Sequence, residues 1–439
     1  MRKWLTAVLA CTVAFSLAAC AGGNGNSADP TSTSTSNGGA ATDKPKNVTL
    51  RMAWWGGQPR HDYTLEVIKM YEAQNPHVKI EPEYANFDDY WKKLAPQAAA
   101  NELPDILQMD ISYLAQYGSK KQLADLTPFL NAGIDTANIS ENAISGGRIG
   151  DKLFGFNIGV NAVNFQYDPE LLKKLGVDKP DDNWNWDDYY ALAGKAKEAG
   201  LYFDNGFRPE VFFGYYLRTK GQHLYNAEGN ALGYEDDQLF VDFFKPLAQL
   251  VKDGDTPAPD VKAQIKGVED DMLVKGQQVG IFQWTNQFVG IQQVANRPLE
   301  MAHMPGPDRE KGLYLKPSMY FSISQNSKVK EEAAKFIDFW VNNVEANKLI
   351  KGDRGVPVNS TVIDAIKSDL APAQVQVFDY VSWAQENSSP MDPPDPVGTA
   401  EIIQLFMTLT EQMDFQQLTP EDAAKQFREE ANAILGKNK

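Results

Sequence analysis

The apolar positions that follow Val48 change period in the way that a strand followed by a helix requires. Val48–Trp55 partly alternates and then runs apolar, which predicts a strand that is buried at its end. After Gly56-Gly57, residues 62–74 place apolar side chains at helical spacing, and the pattern stops at Asn75-Pro76. These residues therefore predict a first strand and a first helix joined by a short glycine loop.

The same succession continues over the next residues. Residues 78–84 alternate as a strand does, and Pro82 places this strand at the edge of its sheet, because proline cannot donate to a ladder. Residues 87–101 predict a helix, and residues 105–109 predict a short buried strand. Strands that alternate with helices in this order indicate a parallel sheet with helices on both faces.

The remainder of the chain also mixes strands and helices. Asp168 before Pro169 and Thr419 before Pro420 are N-cap residues followed by the proline that suits a first helical turn. Further elements are predicted as extended chain over 154–167, a helix over 237–252, strands over 279–284 and 319–323, a helix over 329–349 and a largely helical end from about residue 350. The fold class is therefore α/β, in more than one lobe.

The first residues predict an export signal. Arg2 and Lys3 precede Leu5–Leu17, an apolar run too short to cross a bilayer comfortably. Leu17-Ala18-Ala19-Cys20 resembles the lipobox of bacterial lipoproteins, in which the cysteine is acylated; an ordinary secretory signal is the alternative. We expect residues 1–20 to be a lipoprotein signal peptide and residues 21–46 a flexible stalk of small polar side chains. The protein would then be extracytoplasmic, with Cys20 anchoring it to the cell membrane.

The net charge limits the classes of binding partner, and the cysteine positions limit the covalent chemistry of the folded part. The chain has 58 acidic and 42 basic residues and a net charge of −16, which argues against nucleic acid and against adsorption to anionic lipid. Its 2 cysteines, Cys11 and Cys20, both fall in the predicted signal, so we expect neither disulfides nor thiol chemistry in the folded part.

Several segments, in their order along residues 48–439, resemble the family 1 extracellular solute-binding proteins, the group that includes maltose-binding protein. The segments that carry the resemblance are Trp54-Trp55-Gly56-Gly57, the helix that ends at Asn75-Pro76, Leu103-Pro104-Asp105-Ile106, Gln122-Leu123-Ala124-Asp125-Leu126, residues 157–167, residues 331–337 and Gly355-Val356-Pro357-Val358. No single segment is diagnostic; the order of all of them is the signal.

This resemblance implies a two-lobed periplasmic-binding-protein-like fold, in which each lobe is a mainly parallel sheet with flanking helices. Residues 47–158 and 322–356 would form the N-terminal lobe, and residues 162–318 and 359–439 the C-terminal lobe. It also implies a monomer without cofactors. We expect it to capture a sugar, specifically an oligosaccharide, in the cleft between the lobes and to deliver it to the permease of an ABC importer.

Candidate ligand-binding residues follow from what a sugar needs. Aromatic faces stack against pyranose C–H groups, and planar polar side chains bond pairs of hydroxyls. In open α/β sheets, ligands bind outside the carboxyl ends of the strands. Trp54, Trp55, Asp110, Asn161 and Trp284 fall at or just after such strand ends. Further candidates are Gln58, Arg60, His61, Asn286 and Arg354, and the resemblance to the family implies Trp383 as another stacking residue.

Each candidate also has a purely structural interpretation. One of the adjacent tryptophans Trp54 and Trp55 belongs to the core, and Trp55 is favoured for the ligand. Asp110 is a potential N-cap of the following helix, Arg60 is a potential surface ion pair, and Arg354 is placed to pair with a carboxylate of the other lobe. The two arginines would suit an acidic uronate, whereas the aromatic residues suit neutral glycans equally well.

Other classes of function are less well supported. With 4 histidines, a multi-histidine metal site is not expected, and the acidic residues between Asp178 and Asp188 lack the spacing of a calcium loop. A surface-anchored glycoside hydrolase or lyase stays possible, since pairs of carboxylates are always available in so acidic a chain. A receptor for a non-sugar solute is the other alternative.

Overall fold

A computed structural model describes residues 46–265 and 268–438, so the predicted signal peptide, Cys20 and nearly all of the predicted stalk lie outside the described residues. The strands are β1 (Val48–Trp55), β2 (Val78–Ala85), β3 (Ile106–Met109), β4 (Arg148–Ile149), β5 (Lys152–Leu153), β6 (Phe156–Asn161), β7 (Val163–Tyr167), β8 (Gly280–Trp284), β9 (Glu300–Ala302) and β10 (Lys316–Ile323).

The helices of the first half are α1 (Gln58–Gln74), α2 (Phe87–Ala100), α3 (Ile111–Ser119), α4 (Glu141–Ser145), α5 (Pro169–Lys174), α6 (Trp186–Glu198), α7 (Pro209–Thr219), α8 (Gln238–Asp253) and α9 (Pro259–Lys262). Those of the second half are α10 (Phe288–Ala295), α11 (Arg309–Gly312), α12 (Lys330–Asn342), α13 (Val344–Ile350), α14 (Ser360–Ile366), α15 (Pro372–Glu386), α16 (Thr399–Asp414) and α17 (Pro420–Leu435).

Two predicted helix starts are confirmed by their capping hydrogen bonds. The Asp168 carboxylate accepts from the backbone N–H groups of Glu170 and Leu171 at the start of α5. The Thr419 hydroxyl accepts from the N–H of Asp422 at the start of α17. In both cases a short polar side chain satisfies N–H groups that have no partner within the helix.

The first sheet has five strands in the order β2-β1-β3-β10-β6. Strands β2 and β3 both run parallel to β1, as the strand–helix alternation predicts. Strand β10 is antiparallel to both β3 and β6, so this sheet is mixed. Pro82 lies on β2, at the sheet edge, which confirms its predicted position.

The second sheet corrects the expectation of a mainly parallel sheet in each lobe. It has three strands in the order β8-β7-β9, and β7 is antiparallel to both of its neighbours. The expectation fails because it treats each helical connection as a simple crossover. Five helices, α5 to α9, lie between β7 and β8, so the chain is free to return at the opposite end of the sheet.

Two hydrophobic clusters of buried residues accompany the two sheets. The first cluster joins β1, β3, β6 and β10 with α1, α2 and α12, and it also takes in buried side chains of α14 and α15. The second joins β7 and β8 with α6, α7, α8, α16 and α17, and it contains the buried Trp184 and Tyr189. Buried side chains from residues 360–384 thus pack with the first cluster, although the predicted lobe boundary assigns them to the second lobe.

The chain crosses between the two proposed lobes in three segments, of which one joins β9 to β10 and the other two lie side by side. Ala162 alone separates β6 from β7, and Val160 exchanges backbone hydrogen bonds of 2.9 and 3.1 Å with Val356. A Cβ on Gly159 would lie 1.9 Å from the carbonyl oxygen of Arg354, and Gly355 has a φ of +91°. The close approach of the two crossing segments therefore requires glycine on both of them.

Two predicted helical regions are interrupted. The predicted helix over 329–349 divides at Asn343, whose side chain accepts from the N–H of Ala346 and caps α13. The predicted helical end of the chain contains an irregular segment, residues 387–398, between α15 and α16. Across the ranges 46–265 and 268–438, no helix combines the length and the hydropathy that crossing a membrane would require.

Candidate functional site

One edge of the first sheet collects several of the predicted residues. Trp55 is the last residue of β1, Asp110 follows β3 and Asn161 ends β6. Because β10 runs antiparallel to β6, its first residue, Lys316, pairs with Asn161 at this same edge. The ends of four strands therefore present an aromatic residue, a carboxylate, an amide and an ammonium group along one line.

Trp284 reaches this edge from the second sheet. It is the last residue of β8 and pairs with Val163, the first residue of β7. The N–H of the next residue, Thr285, donates to the carbonyl of Ala162 at 3.0 Å, and its hydroxyl donates to the Asn161 side-chain oxygen at 3.4 Å. Trp284 therefore lies beside the first crossing segment, and Asn161 is largely buried there.

The half-buried Trp284 ring contacts residues that the sequence did not single out. The Nζ atom of Lys316 lies 4.6 Å from the ring centroid, a cation–π distance. The Tyr314 ring approaches edge-on, with centroids 5.9 Å apart. Trp284 and Lys316 come from different sheets, so this contact brings the two sheets together.

Charged side chains surround Lys316. Burial lowers the pKa of its ammonium group and Arg208 lowers it further, whereas Asp110, Asp395 and Glu210 oppose the shift. Loss of hydration raises the pKa of the Asp395 carboxyl, and Lys316 opposes that rise. We call Asp110, Arg208, Glu210, Trp284, Tyr314, Lys316 and Asp395 together the Trp284 cluster.

Further ion pairs support the Trp284 cluster. Arg208, directly before α7, donates from Nε to the Glu210 carboxylate at 2.5 Å. The buried Arg218 of α7 forms an ion pair with Asp392 and donates to the Pro390 carbonyl at 2.8 Å. This arginine holds the irregular segment 387–398, which carries Asp395, against the second lobe.

Sequence analysis missed most members of the Trp284 cluster. Arg208 and Glu210 lie at a helix start, where they resemble ordinary capping charges, and Lys316 lies inside a strand pattern. A usable signal did exist in Pro390-Met391-Asp392-Pro393-Pro394-Asp395-Pro396, because four prolines interrupt an otherwise helical region.

Asp110 has the N-cap role that was one of its two expected roles. Its carboxylate accepts from the N–H of Ser112 at 2.9 Å and caps α3. Its charge also acts on Lys316 and on the Tyr320 hydroxyl. A carboxylate that caps a helix keeps lone pairs free, so the capping bond leaves room for a second partner.

The two adjacent tryptophans are both inside the first lobe. Trp54 is 0% exposed and donates from its indole N–H to Nδ1 of His61 at 3.1 Å, so the structure places it in the core and not at a ligand surface. Trp55 is 7% exposed and packs against Phe87, Tyr90 and Trp91. Trp55 thus presents only a small part of its ring to the sheet edge.

Aromatic side chains next to Trp55 include one, Phe87, that is more exposed to solvent than Trp55. Phe87, the first residue of α2, is 42% exposed. The rings of Trp91 and Tyr113 stack with centroids 3.7 Å apart, and the indole N–H of Trp91 is buried without a hydrogen-bond partner. Sequence analysis did not select these residues, because single aromatics at helical spacing do not differ from core positions.

The residues that open α1 face inward or bond one another. His61 is buried and stacks on Tyr84 with centroids 4.4 Å apart, and burial together with the charge of Arg354 lowers its pKa. Arg60 forms an ion pair with Asp353, with Nε and Oδ2 2.8 Å apart. Gln58 donates to the Asp62 carboxylate at 2.7 Å on the exposed side of α1.

Arg354 is a structural residue of the first lobe, which corrects two expectations for it. It is 0% exposed, so a ligand does not reach it. Its side chain donates to neutral acceptors instead of a carboxylate of the other lobe. It donates to the hydroxyls of Tyr63 and Thr64 at 2.9 and 2.8 Å and to Gln108 Oε1 at 2.5 Å. Its guanidinium also lies over the Trp340 ring, 4.8 Å from the centroid.

The last two predicted residues lie apart from this network. Trp383 on α15 is half-buried and packs against His303, with ring centroids 3.8 Å apart. Asn286 is exposed and follows Trp284 by two residues. Neither contacts a member of the Trp284 cluster through an ion pair, hydrogen bond or ring contact described for residues 46–265 and 268–438.

The second lobe also contains an apolar cavity of about 580 Å³. Phe212, Phe243, Phe282 and Gln283 line it, so it lies behind the strand that ends at Trp284. Within the described parts of the chain, no group of three or more His, Cys, Asp or Glu side chains is arranged to hold a metal ion.

Comparison with known proteins identifies the family. A family model described as bacterial extracellular solute-binding protein matches residues 66–379. A putative binding protein of Brucella abortus (strain 2308) is 26% identical over 308 residues, which cover 68% of this chain and 72% of the relative.

Solved structures agree with this match. A family 1 extracellular solute-binding protein from Alicyclobacillus acidocaldarius is 32% identical, with a TM-score of 0.81 over 90% of this chain and 100% of that one. A periplasmic oligogalacturonide binding protein from Yersinia enterocolitica, 22% identical, shares the fold with a TM-score of 0.78 over 89% of this chain and 99% of that one. The mixed α/β architecture is thus that of the two-lobed binding proteins, and the chain belongs to the family of bacterial extracellular solute-binding proteins.

Proposed function

We propose that this solute-binding protein captures a carbohydrate at the Trp284 cluster, between its two lobes, and releases it unaltered to the permease of an ABC importer. The observation that carries the proposal is the half-buried Trp284 ring, set among carboxylate, ammonium and hydroxyl groups from both sheets. An aromatic face next to polar groups is what recognition of a pyranose requires.

The crossing segments support release as well as capture. Three crossing segments join the proposed lobes. Two of them are bonded to each other at Val160 and Val356 and contain glycines where they touch. Few residues would therefore need to change their backbone angles for one lobe to rotate against the other. Closure would remove water from both faces of a bound sugar and strengthen modest contacts.

The lobe assignment of the sequence is retained as part of this proposal, with residues 47–158 and 322–356 in one lobe and residues 162–318 and 359–439 in the other. In this arrangement α14 and α15 of the second lobe pack against the hydrophobic cluster of the first. A structure of the same fold, from Yersinia enterocolitica, is named an oligogalacturonide binding protein, so glycans are held by this architecture. The importer permease, the monomeric state and the membrane anchor at Cys20 belong to the same proposal.

One experiment distinguishes the proposed function from its two alternatives. These are a surface hydrolase or lyase and a receptor for a non-sugar solute. A thermal-shift screen over mono- and oligosaccharides, peptides and amino acids would detect ligands, since binding to the native state raises its melting temperature. Mass spectrometry of each stabilising sugar after prolonged incubation would show whether it is altered. Stabilisation by unaltered sugars supports the proposal; sugar turnover, or stabilisation only by non-sugar solutes, contradicts it.

A further inference from the structure

Resting on the proposed function, we infer that the glycan is uncharged at the Trp284 cluster and that the protein rejects uronates there. The sequence had left this choice open, and the Yersinia enterocolitica structure is that of a protein for oligogalacturonides, which are acidic. The charges that the fold assembles around Trp284 decide between the two classes of ligand.

The arginines next to the Trp284 cluster are already occupied. Arg208 is bonded to Glu210 at 2.5 Å. Arg218 is 5% exposed and forms an ion pair with Asp392. It also donates hydrogen bonds to the Ser389 hydroxyl and to two backbone carbonyls. Recognition of a uronate carboxylate normally uses two parallel N–H groups of an arginine. Arg208 already directs its Nε and Nη2 groups at Glu210, and Arg218 is buried among its own partners.

Arg60 and Arg354, which the sequence suggests as partners of an acidic ligand, also bond other protein groups. Arg60 bonds both the carboxylate and the backbone carbonyl of Asp353, at 2.8 and 3.2 Å. Arg354 is wholly buried in the first lobe. Both belong to a network that ties α1 to the crossing segment that contains Val356, so neither is placed to receive a sugar carboxylate.

Lys316 is the remaining cation of the Trp284 cluster, and acidic groups surround it. Asp110, Glu210 and Asp395 all act on its charge. Counting Arg208, Arg218 and Lys316 against Asp110, Glu210, Asp392 and Asp395 gives three cations and four carboxylates. A further anion would meet an excess of like charge, which costs several kcal/mol at a desolvated site.

The Glu210 carboxylate favours a ligand that presents a hydroxyl group to it. Its side chain is 10% exposed, and its Oε2 atom is buried without a hydrogen-bond partner. A buried acceptor of this kind requires a donor. A sugar hydroxyl is such a donor. An ionised carboxylate that takes the place of that hydroxyl only accepts and would leave Oε2 without a partner.

Matched pairs of ligands test the inference on the intact folded protein. Galactobiose and digalacturonate, and likewise maltose and its uronic acid counterpart, differ in their carboxylates, so titration calorimetry with both members isolates the charge. We expect the neutral member of a bound pair to bind at least about tenfold more tightly, a difference of about 1.4 kcal/mol. Equal or tighter binding of the acid would overturn the inference and leave the proposed sugar-binding function standing. Binding of neither class in an extended panel of such pairs, by protein that melts cooperatively, would overturn the proposed function and the inference with it.

Asp395→Asn provides a second test, because it removes one of the surplus carboxylates with little change in shape. The ratio of the acid and neutral dissociation constants should fall by roughly tenfold, since a like-charge contact is removed. Asp379→Asn is the matched control: it removes an exposed carboxylate of α15 that pairs with Lys367, and it should leave the ratio unchanged. A ratio unaffected by Asp395→Asn, in a variant that melts like the wild type, would contradict the inference.

Discussion

The ammonium group of Lys316 lies 4.6 Å from the centre of the Trp284 ring, although Lys316 begins a strand of the first sheet and Trp284 ends a strand of the second. A cation over an indole is stabilising by about 0.5–2 kcal/mol, depending on its hydration. The contact therefore covers one face of the ring and joins the two sheets beside the crossing segments. The remaining surface of Trp284 and the polar groups around it are what a ligand meets.

Trp284→Ala is expected to weaken glycan binding by about 1–3 kcal/mol, because a buried stacking surface is lost. Titration calorimetry with a glycan found by the thermal-shift screen measures the change. Trp186→Ala is the control, since Trp186 is a partly buried tryptophan of the same lobe that packs on Phe212 and Phe243. Equal losses of affinity in both variants would indicate a general effect on the second lobe and remove Trp284 from the site.

Arg354→Met is expected to lower the free energy of unfolding by about 2–4 kcal/mol, because it leaves the buried polar groups of Thr64 and Gln108 without their donor. Arg60→Met should cost only about 0–1 kcal/mol, since its partner Asp353 is 47% exposed. Urea denaturation of both variants makes the comparison. Similar costs for the two would contradict the structural role given to Arg354.

His61 predicts a pH dependence of stability. Its folded pKa is lowered below 6.5, first by burial and then by Arg354, so the folded state resists protonation while the unfolded state does not. The unfolded state thus binds more protons as the pH falls below about 6.5, and stability decreases in that range. His61→Gln should have a shallower decrease between pH 7.5 and 5.5 in urea titrations. Parallel curves for the two proteins would show that His61 does not contribute.

The predicted lipid anchor is tested in cells. Cys20→Ser should abolish incorporation of a labelled fatty acid and release the protein from the membrane fraction, because the acylated side chain is lost. Cys11→Ser is the matched control, since Cys11 lies within the predicted signal and should tolerate the change. Membrane retention of Cys20→Ser protein without label would mean that another segment holds it.

The sequence predicted local structure well where a local cause was sufficient. The caps at Asp168 and Thr419 and the edge position of Pro82 follow from side-chain and backbone chemistry within a few residues. The antiparallel second sheet does not, because its pairing joins β7 to strands more than a hundred residues away. The number of helices between those strands does not determine whether the next strand runs parallel or antiparallel to β7.

The same distinction applies to the candidate site. Asp110, Asn161 and Trp284 were found because the ends of strands meet at one edge of a sheet. Lys316, Arg208, Glu210 and Asp395 were missed because their proximity depends on how two lobes and an irregular segment pack. Arg354 was misjudged for the opposite reason: a charge beside a crossing segment suggested a ligand contact, whereas the fold buries it among neutral acceptors.

The most direct measurement is a crystal structure of the protein with the glycan that binds most tightly. The account predicts an intact sugar between the lobes, with a pyranose ring against Trp284 and hydroxyls within hydrogen-bond distance of Glu210, Lys316 or Asp395. A glycan bound on an outer surface, or a cleaved product between the lobes, would contradict it.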